Sequence, residues 1–178
     1  MRRALALTAV LTLAAPALAA LPTGAKAPAF TTQGAQAGKV VTVDLQRLLA
    51  KGPVVLYFFP AAFTSGCNAE AHAFAETLPK FSKAGATVVG MSTDTVPTLQ
   101  KFSTQECAGK FAVATASPAI VKGYDVALGR SIPGKGPLTN RTSYVIGRDG
   151  TIVMVHSDMS PAEHISTTLA AVEKLAAK

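Results

Sequence analysis

Two apolar runs of strand length, one on each side of a helical pattern, constrain the fold of this chain more than any other feature. Val54-Val55-Leu56-Tyr57-Phe58-Phe59 is continuous rather than alternating, which predicts a central strand buried on both faces. Pro60 ends it. Beyond a loop over residues 61–66, apolar residues recur at Ala71, Phe74, Leu78 and Phe81, the spacing of a helix with one buried face. Pro79 is expected to kink or divide that helix, because it has no N–H to give. Gly85 then leads into Thr87-Val88-Val89-Gly90-Met91-Ser92, a second buried strand.

Shorter signals fill in the rest. Residues 22–38 are rich in Gly, Pro, Ala and Thr and read as a looped or extended lead-in. Residues 39–43 form a short strand, and Asp44 caps a helical turn through Leu45, Leu48 and Leu49. Asp94 is a candidate cap for a helix that crosses Leu99 and Phe102 and carries Cys107. Residues 111–114 suit a short strand, 118–124 a helical turn, and 129–139, with five Gly or Pro, a surface loop. Gly147-Arg148-Asp149-Gly150 lies between residues 141–146 and 151–155, a strong hairpin signal. Ser160, Pro161 and Glu163 open a last helix as cap, first residue and capping box, with Ile165, Leu169 and Val172 as its buried face. The order of elements predicts an α/β protein with one mixed sheet flanked by helices.

The N-terminus has a different character. Arg2 and Arg3 precede an apolar stretch over residues 4–15, then Pro16 and Ala17-Leu18-Ala19-Ala20, the layout of a secretory signal peptide cleaved after residue 19. The domain is then residues 20–178, of a size to hold one core, and the protein is expected to be exported, to the periplasm in a bacterium. Of the net charge of +7, two positives leave with Arg2 and Arg3. The rest are scattered, which argues against nucleic acid as a partner, and no membrane association is expected after cleavage. Both cysteines, Cys67 and Cys107, lie in the mature chain, where a disulfide can persist. No C-x-x-C pair is present, and His72, His156 and His164 have no metal-ligand spacing, so neither a metal nor an organic cofactor is expected.

The chemistry concentrates in Pro60-Ala61-Ala62-Phe63-Thr64-Ser65-Gly66-Cys67. This segment leaves a buried strand and enters a helix, a place where open α/β sheets put ligand sites. A cysteine in the first helical turn meets unpaired N–H groups and the positive end of the helix dipole, and both favour the nucleophilic thiolate. The Thr64 hydroxyl can bond the sulfur or a bound oxygen, and Pro60 can shield the pocket. A buried, inert Cys67 behind a Thr64 or Ser65 cap is the alternative for the same residues.

Pro60-x-x-x-Thr64-x-x-Cys67 resembles the active-site signature of peroxiredoxins. The preceding Leu56-Tyr57-Phe58-Phe59, the later Ala86-Thr87-Val88-Val89-Gly90-Met91-Ser92 and Arg141-Thr142-Ser143-Tyr144-Val145-Ile146-x-x-Asp149-Gly150 carry the resemblance across residues 22–175. The spacing is closest to the peroxiredoxin Q, or bacterioferritin comigratory protein, group. The resemblance implies a thioredoxin-like fold and thiol-dependent reduction of hydrogen peroxide or organic hydroperoxides. Cys67 would be the peroxidatic cysteine, Thr64 its hydroxyl partner, Pro60 the shield and Arg141 the guanidinium that favours the thiolate and orients the peroxide. Many members of the group carry a second cysteine five residues after the first, where this chain has His72. Some carry it on the helix after the second strand, which makes Cys107 the expected resolving cysteine. A thioredoxin-like or other dithiol would restore the reduced enzyme, which is expected to be a monomer. A one-cysteine peroxidase, a non-catalytic domain with a structural Cys67–Cys107 bond and a protein thiol–disulfide oxidoreductase are the rival readings.

Overall fold

The computed structural model describes residues 20–133 and 136–177, so the segment read as a signal peptide lies outside the described residues. The chain runs β1 (Thr31–Gln36), β2 (Lys39–Asp44), α1 (Leu45–Leu49), β3 (Val54–Phe58), α2 (Ser65–Lys83), β4 (Thr87–Ser92), α3 (Val96–Gln105), β5 (Ala112–Thr115), α4 (Pro118–Gly123), β6 (Ala127–Ile132), β7 (Gly136–Thr139), β8 (Thr142–Ile146), β9 (Ile152–Ser157) and α5 (His164–Ala176).

Seven strands make one mixed sheet in the order β2-β1-β5-β4-β3-β8-β9. β3, β4 and β5 are parallel and the remaining pairings antiparallel. β3 lies between β4 and β8, and all five of its residues are buried, as its continuous apolar run requires. Its side chains alternate between two cores. Val55 and Tyr57 join Phe74, Phe81, Leu99, Phe102 and Val172 under α2, α3 and α5. Val54, Leu56 and Phe58 join Leu45, Leu49, Ile120 and Val121 under α1 and α4. The mixed sheet with helices on both faces is the architecture expected from the sequence.

The structure corrects several local expectations. The lead-in contains β1, which pairs with both β2 and β5. Its sequence hides this because the close approach needs a glycine: a Cβ on Gly34 would sit 2.3 Å from the Val113 carbonyl oxygen. Residues 127–133 and 136–139 are largely exposed, yet they hold the two-stranded ribbon β6–β7, which lacks the apolar alternation of a core strand. Pro79 does not divide α2, which runs unbroken from Ser65 to Lys83. The carbonyl that Pro79 leaves without a helical donor, that of Ala75, accepts from Lys110 Nζ at 3.1 Å. α3 is capped by Thr95 rather than Asp94, and α5 begins at His164 instead of residue 161. Turns in which Asp158 accepts from the Ser160 amide and Ser160 from the Ala162 amide delay that last helix.

Cys107 is the largest correction. It lies past the end of α3, whose C-cap is Glu106, and it is fully buried. Its polar neighbours suggest surface, but Gln105 and Lys110 point outward while the sulfur enters the core with Leu99, Phe102 and Phe111. Ala108 and Gly109, both at positive φ, then reverse the chain.

Candidate active site

The site forms where β3 and β4 end. The Phe59 amide bonds the Met91 carbonyl (2.9 Å) and the Thr139 hydroxyl bonds the Phe59 carbonyl (2.8 Å), so the end of β3 is held on both sides. Pro60 is half-buried and turns the chain. Asp94, freed from helix capping, accepts from the Ala62 amide at 2.7 Å and from the Ser92 hydroxyl at 2.9 Å. A buried loop amide needs such an acceptor, and the bonds fasten the loop before Cys67 to the end of β4. Phe63 follows at φ 64, an unusual conformation for a bulky residue, with its ring edge-on to Phe102. It is a locally strained residue at the mouth of the site.

Thr64 is the N-cap of α2 but makes no side-chain capping bond. Its hydroxyl donates to the Ala61 carbonyl (3.0 Å), not to the sulfur. Cys67 is the third residue of α2, in the first turn, with 1% of its surface exposed. Both cysteines are free thiols.

Arg141, immediately before β8, is 96% buried rather than an exposed strand-end charge. Its Nη2 lies 3.5 Å from Cys67 Sγ, its Nε donates to the Met159 carbonyl (3.0 Å), and its Nη1 is bonded to Glu70 Oε2. Gly66 makes room for it, since a Cβ there would meet Nη2 at 3.3 Å. The structure therefore brings Cys67 and Arg141 into contact, 74 residues apart in sequence. Pro60 and Thr64 lie on the same loop. Cys107 shares the core cluster of Cys67 but belongs to a separate turn.

Glu70 is the residue that sequence reasoning missed. It is fully buried one turn after Cys67, where burial outweighs the attraction of Arg141 and pushes its carboxyl up to about 7. The available signal was a carboxylate three residues from the cysteine, on the face that continues into Ala71 and Phe74. His72 is half-exposed and pairs with Glu106 at 2.8 Å, next to Cys107. His164 is buried and hydrogen-bonded to Ser143 and to the Asp158 carbonyl. Among the described residues, no group of three or more His, Cys, Asp or Glu is arranged to hold a metal ion.

Chemically, this is a sulfur at a helix start with a permanent cation on it. The guanidinium sets a positive charge against the sulfur and has N–H donors left to orient oxygen atoms. A thioredoxin-like sheet with such a cysteine after β3 fits the layout of a thiol-dependent peroxidase. The chain belongs to the AhpC/TSA family, whose model matches residues 23–155, and it is a peroxiredoxin by that membership. The chloroplastic peroxiredoxin Q of Suaeda salsa is 35% identical over 155 residues, covering 85% of this chain and 68% of that protein. The peroxiredoxin Bcp of Xanthomonas campestris pv. campestris is 30% identical over 121 residues, covering 67% of this chain and 76% of its own. Among solved structures, the peroxidoxin BcpB of Mycobacterium tuberculosis superposes with a TM-score of 0.76 at 30% identity, covering 86% of this chain and 97% of that one. A bacterioferritin comigratory protein of Xanthomonas campestris, studied for alkyl peroxide reduction, does so with a TM-score of 0.68 at 25% identity, covering 81% and 91%.

Proposed function

We propose that Cys67 is the peroxidatic cysteine, that its substrates are hydrogen peroxide and organic hydroperoxides, and that Cys107 resolves the product. The observation that carries this reading is the Arg141 guanidinium 3.5 Å from a sulfur in the first turn of α2. Cys67 thiolate attacks the peroxide O–O bond and becomes a sulfenic acid, while the departing oxygen takes a proton and leaves as water or an alcohol. Arg141 orients the peroxide and stabilises charge on the departing oxygen. Thr64, with its hydroxyl hydrogen on Ala61, has oxygen lone pairs to accept the peroxide's hydrogen, and Pro60 limits water. Cys107 thiolate condenses with the sulfenic acid to a disulfide, releasing water, and a thioredoxin-like dithiol reduces it by exchange. The alkyl peroxide reduction studied in the Xanthomonas campestris relative supports including organic hydroperoxides.

The same reading includes export as a monomer, with residues 1–19 as a cleaved signal peptide. It rests on the basic, apolar and small-residue order of that segment. Among the described residues, no helix is long and apolar enough to cross a membrane.

The test is peroxide consumption by the mature protein with a dithiol, followed by mass spectrometry of the cysteines after one equivalent of peroxide. Turnover with a Cys67–Cys107 disulfide supports the full cycle. Turnover with Cys107 still a thiol leaves a one-cysteine peroxidase.

A further inference from the structure

α5 opens with a histidine that the peroxide chemistry above does not use. His164 is fully buried, and both ring nitrogens are engaged. Nε2 lies 2.9 Å from the Asp158 carbonyl oxygen, and Nδ1 lies 2.8 Å from Ser143 Oγ on β8. A carbonyl only accepts, so Nε2 carries the hydrogen, and in the neutral ring Nδ1 accepts from the Ser143 hydroxyl. The same Nδ1 is 3.8 Å from Glu70 Oε1, a buried carboxyl oxygen with no hydrogen-bond donor. The other oxygen, Oε2, is bonded to Arg141. The imidazole thus fills the space beside Glu70 without giving it an N–H.

We propose that His164 is a positioning residue for the Cys67 chemistry: by withholding a hydrogen bond from Glu70, it keeps that carboxyl ready to hold a proton and leaves the charge of Arg141 to the sulfur. This rests on the reading of Cys67 as the reactive thiol. Cys67 and Glu70 compete for one guanidinium in a buried site, so two anions there disfavour each other. Ionisation of the thiol therefore goes with uptake of a proton by the carboxylate. Cys67–SH and Glu70–COO⁻ become Cys67–S⁻ and Glu70–COOH, with charge conserved and no electrons moved. A donor added to Glu70 Oε1 stabilises the carboxylate and works against the thiolate, whereas an acceptor there does the reverse. Burial supports the arrangement by holding Glu70 up at about 7 and pressing His164 down to about 4, so the ring stays neutral. The charged or titratable groups facing His164 are Glu70 on α2, Arg141 before β8, His156 on β9 with ring centroids 4.5 Å apart, and Asp158 after β9.

Two substitutions of opposite sign test this. His164→Asn puts an amide NH₂ near the place of Nδ1, where it can donate to Glu70 Oε1. Ser143→Ala removes the hydroxyl that occupies Nδ1, leaving the imidazole to accept from the Glu70 carboxyl. The readouts are Cys67 alkylation by iodoacetamide across pH, followed on the Cys67 peptide by mass spectrometry, and the single-turnover peroxide rate, with circular dichroism for the fold. The alkylation midpoint should move up in His164→Asn and down in Ser143→Ala, each by roughly half to one pH unit, or about three- to tenfold in thiolate population at a fixed pH. The peroxide rate at neutral pH should follow. Unmoved midpoints, or midpoints moved in the same direction, overturn the proposal. If His164→Asn does not fold, Ser143→Ala decides alone, and an unmoved or raised midpoint in it is a rejection. Opposite shifts in a protein that consumes no peroxide would sink the peroxidase reading and leave this one standing.

Discussion

Arg141 reaches Cys67 Sγ with one terminal nitrogen, at 3.5 Å, and Glu70 with the other, so the cation at the sulfur is held in place by a buried carboxyl. Removing Arg141 has two separable consequences. Arg141→Ala takes the positive charge from the sulfur, so Cys67 alkylation should require higher pH and the single-turnover peroxide rate should fall by about 100-fold or more, the scale of losing one oxyanion donor. An unchanged alkylation profile and rate would remove Arg141 from the site. Stability should suffer less than for an ordinary buried ion pair, where breaking one side costs about 3–5 kcal/mol. Glu70 can escape the loss by taking up a proton, because burial already favours its neutral form. Urea denaturation of the variant should place the loss at or below the low end of that range.

Glu70 and His164 should act on stability in opposite directions across the acid range. The Glu70 carboxyl is raised from 4.5 to about 7, so the folded state binds its proton more tightly than the unfolded chain. Its contribution is complete below 4.5 and is lost as pH rises through 7. His164 is lowered from 6.5 to about 4, so its contribution is complete above 6.5 and is lost as pH falls through 4. The two slopes largely offset each other between pH 4.5 and 6.5 in the wild type. Glu70→Gln should expose the histidine, with stability rising with pH over that interval. His164→Leu, which brings no new donor to Glu70, should expose the carboxyl, with stability falling as pH rises. Urea midpoints at several pH values measure both, and parallel curves for the two variants would contradict the assignment.

Cys67→Ser should abolish peroxide reduction and leave the fold in place. The serine fits the space of a small side chain, and Arg141 supplies a donor for its oxygen. A hydroxyl is far less acidic than a thiol, so the nucleophile is lost even with the guanidinium present. Retention of most peroxide turnover in that variant would end the assignment of Cys67.

The sequence made the βαβ core legible because Val54–Phe58 and Thr87–Ser92 are buried on both faces and so read as continuous apolar runs. The Asp-Gly turn did the same for β8 and β9. β1 was not legible, because its burial rests on Gly34 and Ala35, whose small side chains leave no hydrophobic pattern. At the site, Cys67 was visible through its spacing from Pro60 and Thr64. Glu70 and His164 were hidden, because a charged residue on a helix is ordinarily a solvated one, and only the packing of α5 against α2 and β8 buries this pair. Cys107 misled in the opposite way: its polar neighbours describe the outside of a turn whose inside holds the sulfur.

In the proposed cycle, that turn has to open. Burial pushes the Cys107 thiol far above its usual range, and the charge of Glu106 adds to the effect, which disfavours attack as a thiolate from the buried position. Disulfide formation further requires the two α-carbons to come within about 7 Å. The Cys107 turn is fastened to α2 by Lys110 Nζ on the Ala75 carbonyl and by Glu106 on His72, and Ala108 is held at a positive φ of 48. Local opening that breaks these contacts should therefore limit resolution, not the first attack. Lys110→Ala should speed formation of the Cys67–Cys107 disulfide several-fold after a peroxide pulse and leave the sulfenic acid step unchanged, since Lys110 bonds the Ala75 carbonyl, about two turns along α2 from Cys67, and not the sulfur. Cys107→Ser should keep the first step, accumulate Cys67 sulfenic acid and then overoxidise to sulfinic acid with excess peroxide. Rapid quench with alkylation and mass spectrometry follows each species. Wild-type protein that ends with Cys67 as sulfinic acid and Cys107 as an untouched thiol would assign the buried turn a packing role alone.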